Sequence, residues 1–132
     1  ALANIGDSRA YLQRGASLRR LTKDHSWVEE QIRAGTLTEA AARHHPWRNI
    51  VTRALSGCDE LLIDVTELEF EAGDRLLLCS DGLTAVLEDS EIQRVVAAPT
   101  DLQGVCDELV GRSNAAGGPD NITTVVVAVA AN

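Results

Sequence analysis

The sequence predicts an α+β fold in which antiparallel sheet and helix stack in layers. Three observations predict it. Short apolar runs of strand length recur along the chain and end in residues 122–129, which hold three consecutive valines. Two stretches of the C-terminal half have helical periodicity instead, with Ile92, Val95 and Val96 in one and Leu102, Val105, Leu109 and Val110 in the other. Several strand-like runs are joined by short turn-like links, which favours antiparallel pairing.

Taken in order, residues 1–5 and 10–13 read as strands. Gly6-Asp7-Ser8-Arg9 between them is turn-like, so the simple expectation is a hairpin. Gly15 closes the second strand, and residues 18–21 offer a third. Asp24 can cap a helix running to Arg33, with Val28 and Ile32 one turn apart, and Gly35 ends it. Thr38 can cap a short helix over 39–43, and Pro46 in His44-His45-Pro46-Trp47-Arg48 breaks it. Residues 24–57 therefore read as a helical insertion between strands. Residues 61–65 and 68–70 are strand-like, and Ala72-Gly73-Asp74 is a turn. Residues 75–79, with Leu76-Leu77-Leu78, suit a strand buried on both faces, and Ser80-Asp81-Gly82 stops it. Asp89 or Ser90 can cap the next helix. Thr100 with Gln103 fits a capping box for the last one, before the sharp loop Gly117-Gly118-Pro119-Asp120-Asn121.

Composition narrows the function classes. The chain has 132 residues, one domain at most, and 45% of them are hydrophobic, which argues against disorder. Only 3% are aromatic, so the core must be aliphatic. A formal net charge of −8 with no basic run disfavours nucleic acid, and it repels a phosphorylated substrate unless cations intervene. Cys58, Cys79 and Cys106 are odd in number and far apart, which fits a reducing, cytoplasmic setting better than a disulfide framework. No apolar run is long enough to span a membrane, and no signal peptide is visible. The chain does not begin with Met and opens inside a strand, so it reads as a piece of a longer protein.

The residues able to carry chemistry are few. Asp81 ends one apolar strand and Asp120 precedes another. If those strands are adjacent, both carboxylates lie at one rim of a sheet, where a divalent cation would relieve their repulsion. All-oxygen donors suit Mg²⁺ or Mn²⁺ rather than zinc. The plain alternative is turn and cap chemistry, since Asp-Gly and Asp-Asn are common in loops. Asp7, after Gly6, has the same two readings. His25, His44 and His45 show no metal-binding spacing and read as surface or packing residues. Cys106 and Arg112 match the Cys-x5-Arg spacing of thiol phosphatases. The residues between them include Asp107 and Glu108 and have helical periodicity, which would repel phosphate and disfavour a thiolate.

Five motifs taken together change the balance. They are Ala3-Asn4-Ile5-Gly6-Asp7-Ser8-Arg9-Ala10-Tyr11, Leu21-Thr22-Lys23-Asp24-His25-Ser26, Asn49-Ile50-Val51-Thr52-Arg53-Ala54-Leu55-Ser56-Gly57, Gly73-Asp74-Arg75-Leu76-Leu77-Leu78-Cys79-Ser80-Asp81-Gly82-Leu83, and Gly118-Pro119-Asp120-Asn121-Ile122-Thr123. In this order they resemble the bacterial type 2C, metal-dependent serine/threonine protein phosphatases (the PPM family) over essentially the whole chain. The resemblance implies an antiparallel β-sandwich flanked by helices. It implies hydrolysis of phosphoserine and phosphothreonine in proteins by a water between two Mn²⁺ or Mg²⁺ ions. By position, Asp81 and Asp120 resemble the family's metal-binding aspartates. Asp7 resembles the aspartate that in some members holds a third, weaker metal. Residues 24–57 resemble the flap, a segment linked to substrate choice. The implied partners are phosphorylated proteins, with a serine/threonine kinase and its substrates.

The family's Asp-Gly-x-Gly-Gly motif, which bridges the core metals, and its phosphate-binding Arg are not in this sequence. Residues 1–132 are thus expected to be the C-terminal part of one phosphatase domain. The N-terminal part is absent, so the chain is expected to be weakly active or inactive alone and able to self-associate through exposed sheet edges. The alternative reading is an inactive module that binds phosphoproteins or a kinase.

Overall fold

A computed structural model describes residues 1–55, 57 and 61–130. The elements run β1 (Leu2–Asn4), β2 (Arg9–Arg14), β3 (Ser17–Arg20), α1 (Trp27–Arg33), α2 (Glu39–Arg43), β4 (Asp64–Thr66), β5 (Arg75–Cys79), α3 (Asp81–Thr84), α4 (Asp89–Val96), α5 (Leu102–Ala115) and β6 (Thr124–Ala128). All strand pairing among the described residues is antiparallel, so the α+β expectation holds. The chain forms two compact units, Ala1–Ser8 with Lys23–Leu68, and Arg9–Thr22 with Glu69–Asn132.

The second unit is built on a four-stranded sheet of order β3-β2-β5-β6. Alternation along β2, β5 and β6 sends Tyr11, Leu77, Cys79 and Val126 to one face. There they pack with Leu83, Ile92, Val95, Val96, Val105 and Leu109 from the helices and Leu87 from the link between α3 and α4. Tyr11 is the aromatic of this aliphatic core. Its hydroxyl donates to Asp89 Oδ1 at 3.0 Å, and burial pushes its pKa up to about 12. The opposite face carries Leu76 and Leu78, half-buried, and Val125 and Val127, each 47% exposed. The central leucine run is therefore fully buried on one side only. Arg14 closes the bottom of the sheet. Its Nε and Nη2 clamp both oxygens of the buried Asp74 at 2.9 and 2.7 Å, and Nη1 reaches Glu71 at 2.7 Å. The Arg14 hydrogen bonds and the Glu71 N–H hold the Asp74 carboxyl below the usual carboxylate range.

The first unit is held differently. β1 pairs with β4, Asn4 opposite Asp64. The hairpin expected across residues 6–9 does not form. Gly6, at φ +102°, turns its N–H and its carbonyl to residue 25 rather than closing a turn back onto β2. Residues 24–26 are engaged in the same way. His25 N–H donates to Gly6 O at 2.9 Å, Thr52 N–H donates to His25 O at 2.7 Å, and Ser26 bridges Val51. The backbone is thus still extended at Ser26, and Ser26 rather than Asp24 caps α1 by accepting from Glu29 N–H. Gly35 follows the end of that helix at φ +75°, and Thr38 caps α2, both as expected.

Three more local expectations shift. Residues 68–70 are not a strand, and 61–65 yields only the start of the short, exposed β4. Asp101, not Thr100, caps α5 by accepting from Gly104 N–H at 2.8 Å. The cap position of α4 is Glu88, whose N–H donates to Glu91, because Asp89 is already inside the helix and bound to Tyr11. Cys79 and Cys106 are free thiols, and Cys58 lies outside the described residues, as does Ser56.

Candidate functional site

The candidate site grows from the pairing of β5 with β6. Cys79 stands opposite Thr124, so the C-terminal end of β5 meets the N-terminal end of β6. Asp81 comes two residues after Cys79, and Asp120 four residues before Thr124. The two motifs are then laced together. Ser80 N–H donates to Thr123 O at 3.0 Å, extending the ladder by one step. The Ser80 hydroxyl accepts from Thr123 N–H at 3.0 Å and donates to Asn121 O at 3.1 Å. With its hydroxyl spent there, Ser80 makes no side-chain cap to α3.

Gly82 is required by this closeness. A Cβ there would collide with the Asn121 carbonyl, whose carbon would be 2.9 Å away, with Asp120 O at 3.4 Å. Behind it, the buried Ser113 hydroxyl of α5 donates to Gly82 O at 2.9 Å. The rim is thus fixed from three directions: the sheet ladder, the serine clasp and the α5 hydroxyl.

Asp81 is the first residue of α3 and half-buried. Its carboxylate meets no protein donor among the described residues, so it does not serve as a cap. Asp120 is exposed and Asn121 N–H donates to its Oδ1 at 2.7 Å, which is partly the plain loop chemistry the sequence allows. Asp120 Oδ2 has no such partner among the described residues. A half-buried carboxylate without a donor, beside a second with an open oxygen, fits a hard divalent cation. Two carboxylates are a partial ligand set, and no group of three His, Cys, Asp or Glu able to hold a metal is found among the described residues.

Asp7 belongs to the other unit, directly after Gly6, and is half-buried. His44 is exposed, and His45 stacks against Trp27 and Trp47, with ring centroids at 4.8 and 5.9 Å. His25, expected as a surface or packing residue, is buried at 4% exposure, with both ring nitrogens in hydrogen-bond contact. Cys106 and Arg112 both lie on α5, where Arg112 pairs with Glu108 at 2.6 Å, so no phosphate-cradling loop surrounds the thiol. Sequence reasoning missed Ser80, Thr123 and Ser113, which do the lacing. Only the Gly after Asp81 signalled a close approach.

Three comparisons bear on this geometry. The family model described as Stage II sporulation protein E (SpoIIE) matches residues 35–130. The protein phosphatase PhpP of Streptococcus pneumoniae is 44% identical over 127 residues, covering 96% of this chain and 52% of PhpP. The serine/threonine phosphatase PstP/Ppp of Mycobacterium tuberculosis superposes with a TM-score of 0.91 at 37% identity, over 98% of this chain and 55% of that one. A structure of the PstP catalytic domain with two manganese ions superposes at 0.87 and 35% identity, over 98% and 53%. The chain spans about half the length of PhpP and of each of the two solved structures it superposes on. By the match to the SpoIIE model over most of its residues, the chain belongs to that family, the type 2C (PPM) phosphatase-like domains.

Proposed function

We propose that this chain is part of a metal-dependent protein phosphatase acting on phosphoserine and phosphothreonine, and that Asp81 and Asp120 are two of its metal ligands. The observation that carries this is the clasp between Ser80-Asp81-Gly82 and Asp120-Asn121, which holds two carboxylate-bearing turns together at one sheet rim. The all-oxygen donors fit Mn²⁺ or Mg²⁺, and the relative with two manganese ions supports Mn²⁺. Such cations, when bound, supply charge for the phosphoryl group and activation of water. The chain's own part is to hold the donors in register: β5 and β6 set the spacing, Ser80 locks it, and Gly82 leaves room for it. Asp7 is proposed as a further, weaker ligand, and residues 24–57 as the segment that meets the substrate protein.

The remaining donors are proposed to come from residues outside this sequence, so the chain alone is weakly active or inactive. The partners are proteins phosphorylated by a serine/threonine kinase, and the setting is cytoplasmic. No described helix is long and apolar enough to cross a membrane. The apolar β6, at the edge of its sheet, is proposed as the place where isolated chains associate.

The test is Mn²⁺-dependent hydrolysis of p-nitrophenyl phosphate by the full-length protein and by its Asp81→Ala and Asp120→Ala variants. The reading expects turnover to fall by at least about 100-fold in each. Unchanged turnover in both variants overturns it.

A further inference from the structure

The buried His25 lies where four stretches of the first unit meet. Its backbone N–H donates to Gly6 O, and its carbonyl accepts from Thr52 N–H. Its Nδ1 accepts from Gly6 N–H at 3.1 Å, and its Nε2 is 3.0 Å from Asp64 Oδ2. A backbone N–H can only donate, so Nδ1 carries no proton. The ring proton then sits on Nε2 and is donated to Asp64. Arg53 Nη1 also approaches Nε2, at 3.4 Å. With a proton on Nε2 that approach brings two donors together, so the guanidinium serves Asp64 Oδ1 at 3.3 Å instead. Asp64 is placed for this by its strand, opposite Asn4.

We infer that His25 is a positioning residue: its bare Nδ1 fixes the Gly6 N–H, and with it the Asp7 turn, while Asp64, steadied by Arg53, holds the ring in the one tautomer that can do so. Gly6 is buried at φ +102° and is gripped through both of its backbone polar groups by one residue, so the direction in which the chain leaves it toward Asp7 is set by His25. The same residue ties the start of the 24–57 segment to Thr52, near its end, through its carbonyl. The inference rests on Asp7 serving the proposed site only for its catalytic meaning, since the lock itself is independent of any reaction.

Two isosteric replacements separate the two sides of the ring. His25→Asn keeps an acceptor where Nδ1 stands and loses the arm to Asp64. His25→Gln keeps a donor where Nε2 stands and loses the acceptor for Gly6. In the intact ¹⁵N-labelled protein, the ring nitrogens should show a bare Nδ1 and a protonated Nε2. Gly6 amide exchange should rise at least about tenfold in His25→Gln and stay within about threefold of wild type in His25→Asn. A proton on Nδ1 in the wild type overturns the inference. So does Gly6 protection that survives in His25→Gln, or that is lost equally in both variants. Turnover of the same variants reports separately on the proposed function, because the exchange result needs no activity.

Discussion

The two units hold themselves together by different means. In the unit of residues 9–22 and 69–130, ten apolar side chains from β2, β5, the helices and the link between α3 and α4 form one buried cluster. In the other unit, Ala42 is the only buried apolar residue among those described, while Asp24, His25 and Ser26 are buried and polar. Many of its large apolar residues lie outside: Trp47, Ile50, Val51, Leu55, Leu62 and Val65 are all at least 40% exposed. One unit is ordered mainly by apolar burial, which is non-directional and tolerant. The other depends on a few directional hydrogen bonds, which fix geometry closely but fail together. The rim with Asp81 and Asp120 grows from the first kind of structure, and Asp7 stands on the second.

The comparison can be broken by single substitutions. The largest stability loss is expected for Leu77→Ala in the packed unit, about 2–5 kcal/mol by urea unfolding. No apolar truncation in the other unit should approach that; Ala42→Gly should cost about 1 kcal/mol. If the two costs are alike, the contrast is wrong.

The next effect is a pH dependence. The carboxyl of Asp74 is depressed by Arg14, so its contribution is present above its ordinary value of about 4 and is lost as pH falls through the depressed folded value. The urea midpoint of the wild type should therefore fall on the acid side of about pH 4. In Asp74→Asn that part of the profile should flatten. A profile of the same shape in both proteins removes the role given to the clamp.

Smaller again is Ser113→Ala, which leaves the buried Gly82 carbonyl without its donor and should cost about 1–2 kcal/mol. It sharpens the comparison if Mn²⁺ affinity falls with it, since that would show the packed unit supporting the rim. The smallest is Thr38→Ala, the loss of an exposed cap on α2, about 1 kcal/mol and confined to local fraying seen by amide exchange.

Much of the packed unit was legible in the sequence, because its strands and amphipathic helices carry their periods openly. Asp81 and Asp120 could be placed at strand ends from the flanking turn residues, and adjacency of those strands was the one assumption needed. The first unit was harder to read. Gly6-Asp7-Ser8-Arg9 has the local chemistry of a hairpin, but the partner of β1 lies some sixty residues away in β4, and no local signal announces it. His25 looked ordinary for the same reason: its partners, Gly6, Thr52 and Asp64, are brought to it by long-range pairing. The helix starts at Ser26, Glu88 and Asp101 each missed by one or two residues, because neighbouring side chains were already committed elsewhere or lay one position off.

The central claim is that Asp81 and Asp120 form one ligand pair held by the Ser80 clasp. The most direct measurement is calorimetric titration of Mn²⁺ into the full-length protein and its Asp120→Asn variant, with thermal unfolding as the control for folding. The account predicts Mn²⁺ affinity weaker by at least about tenfold in the variant, at an unfolding temperature within a few degrees of wild type. Equal affinity in two equally folded proteins would contradict it.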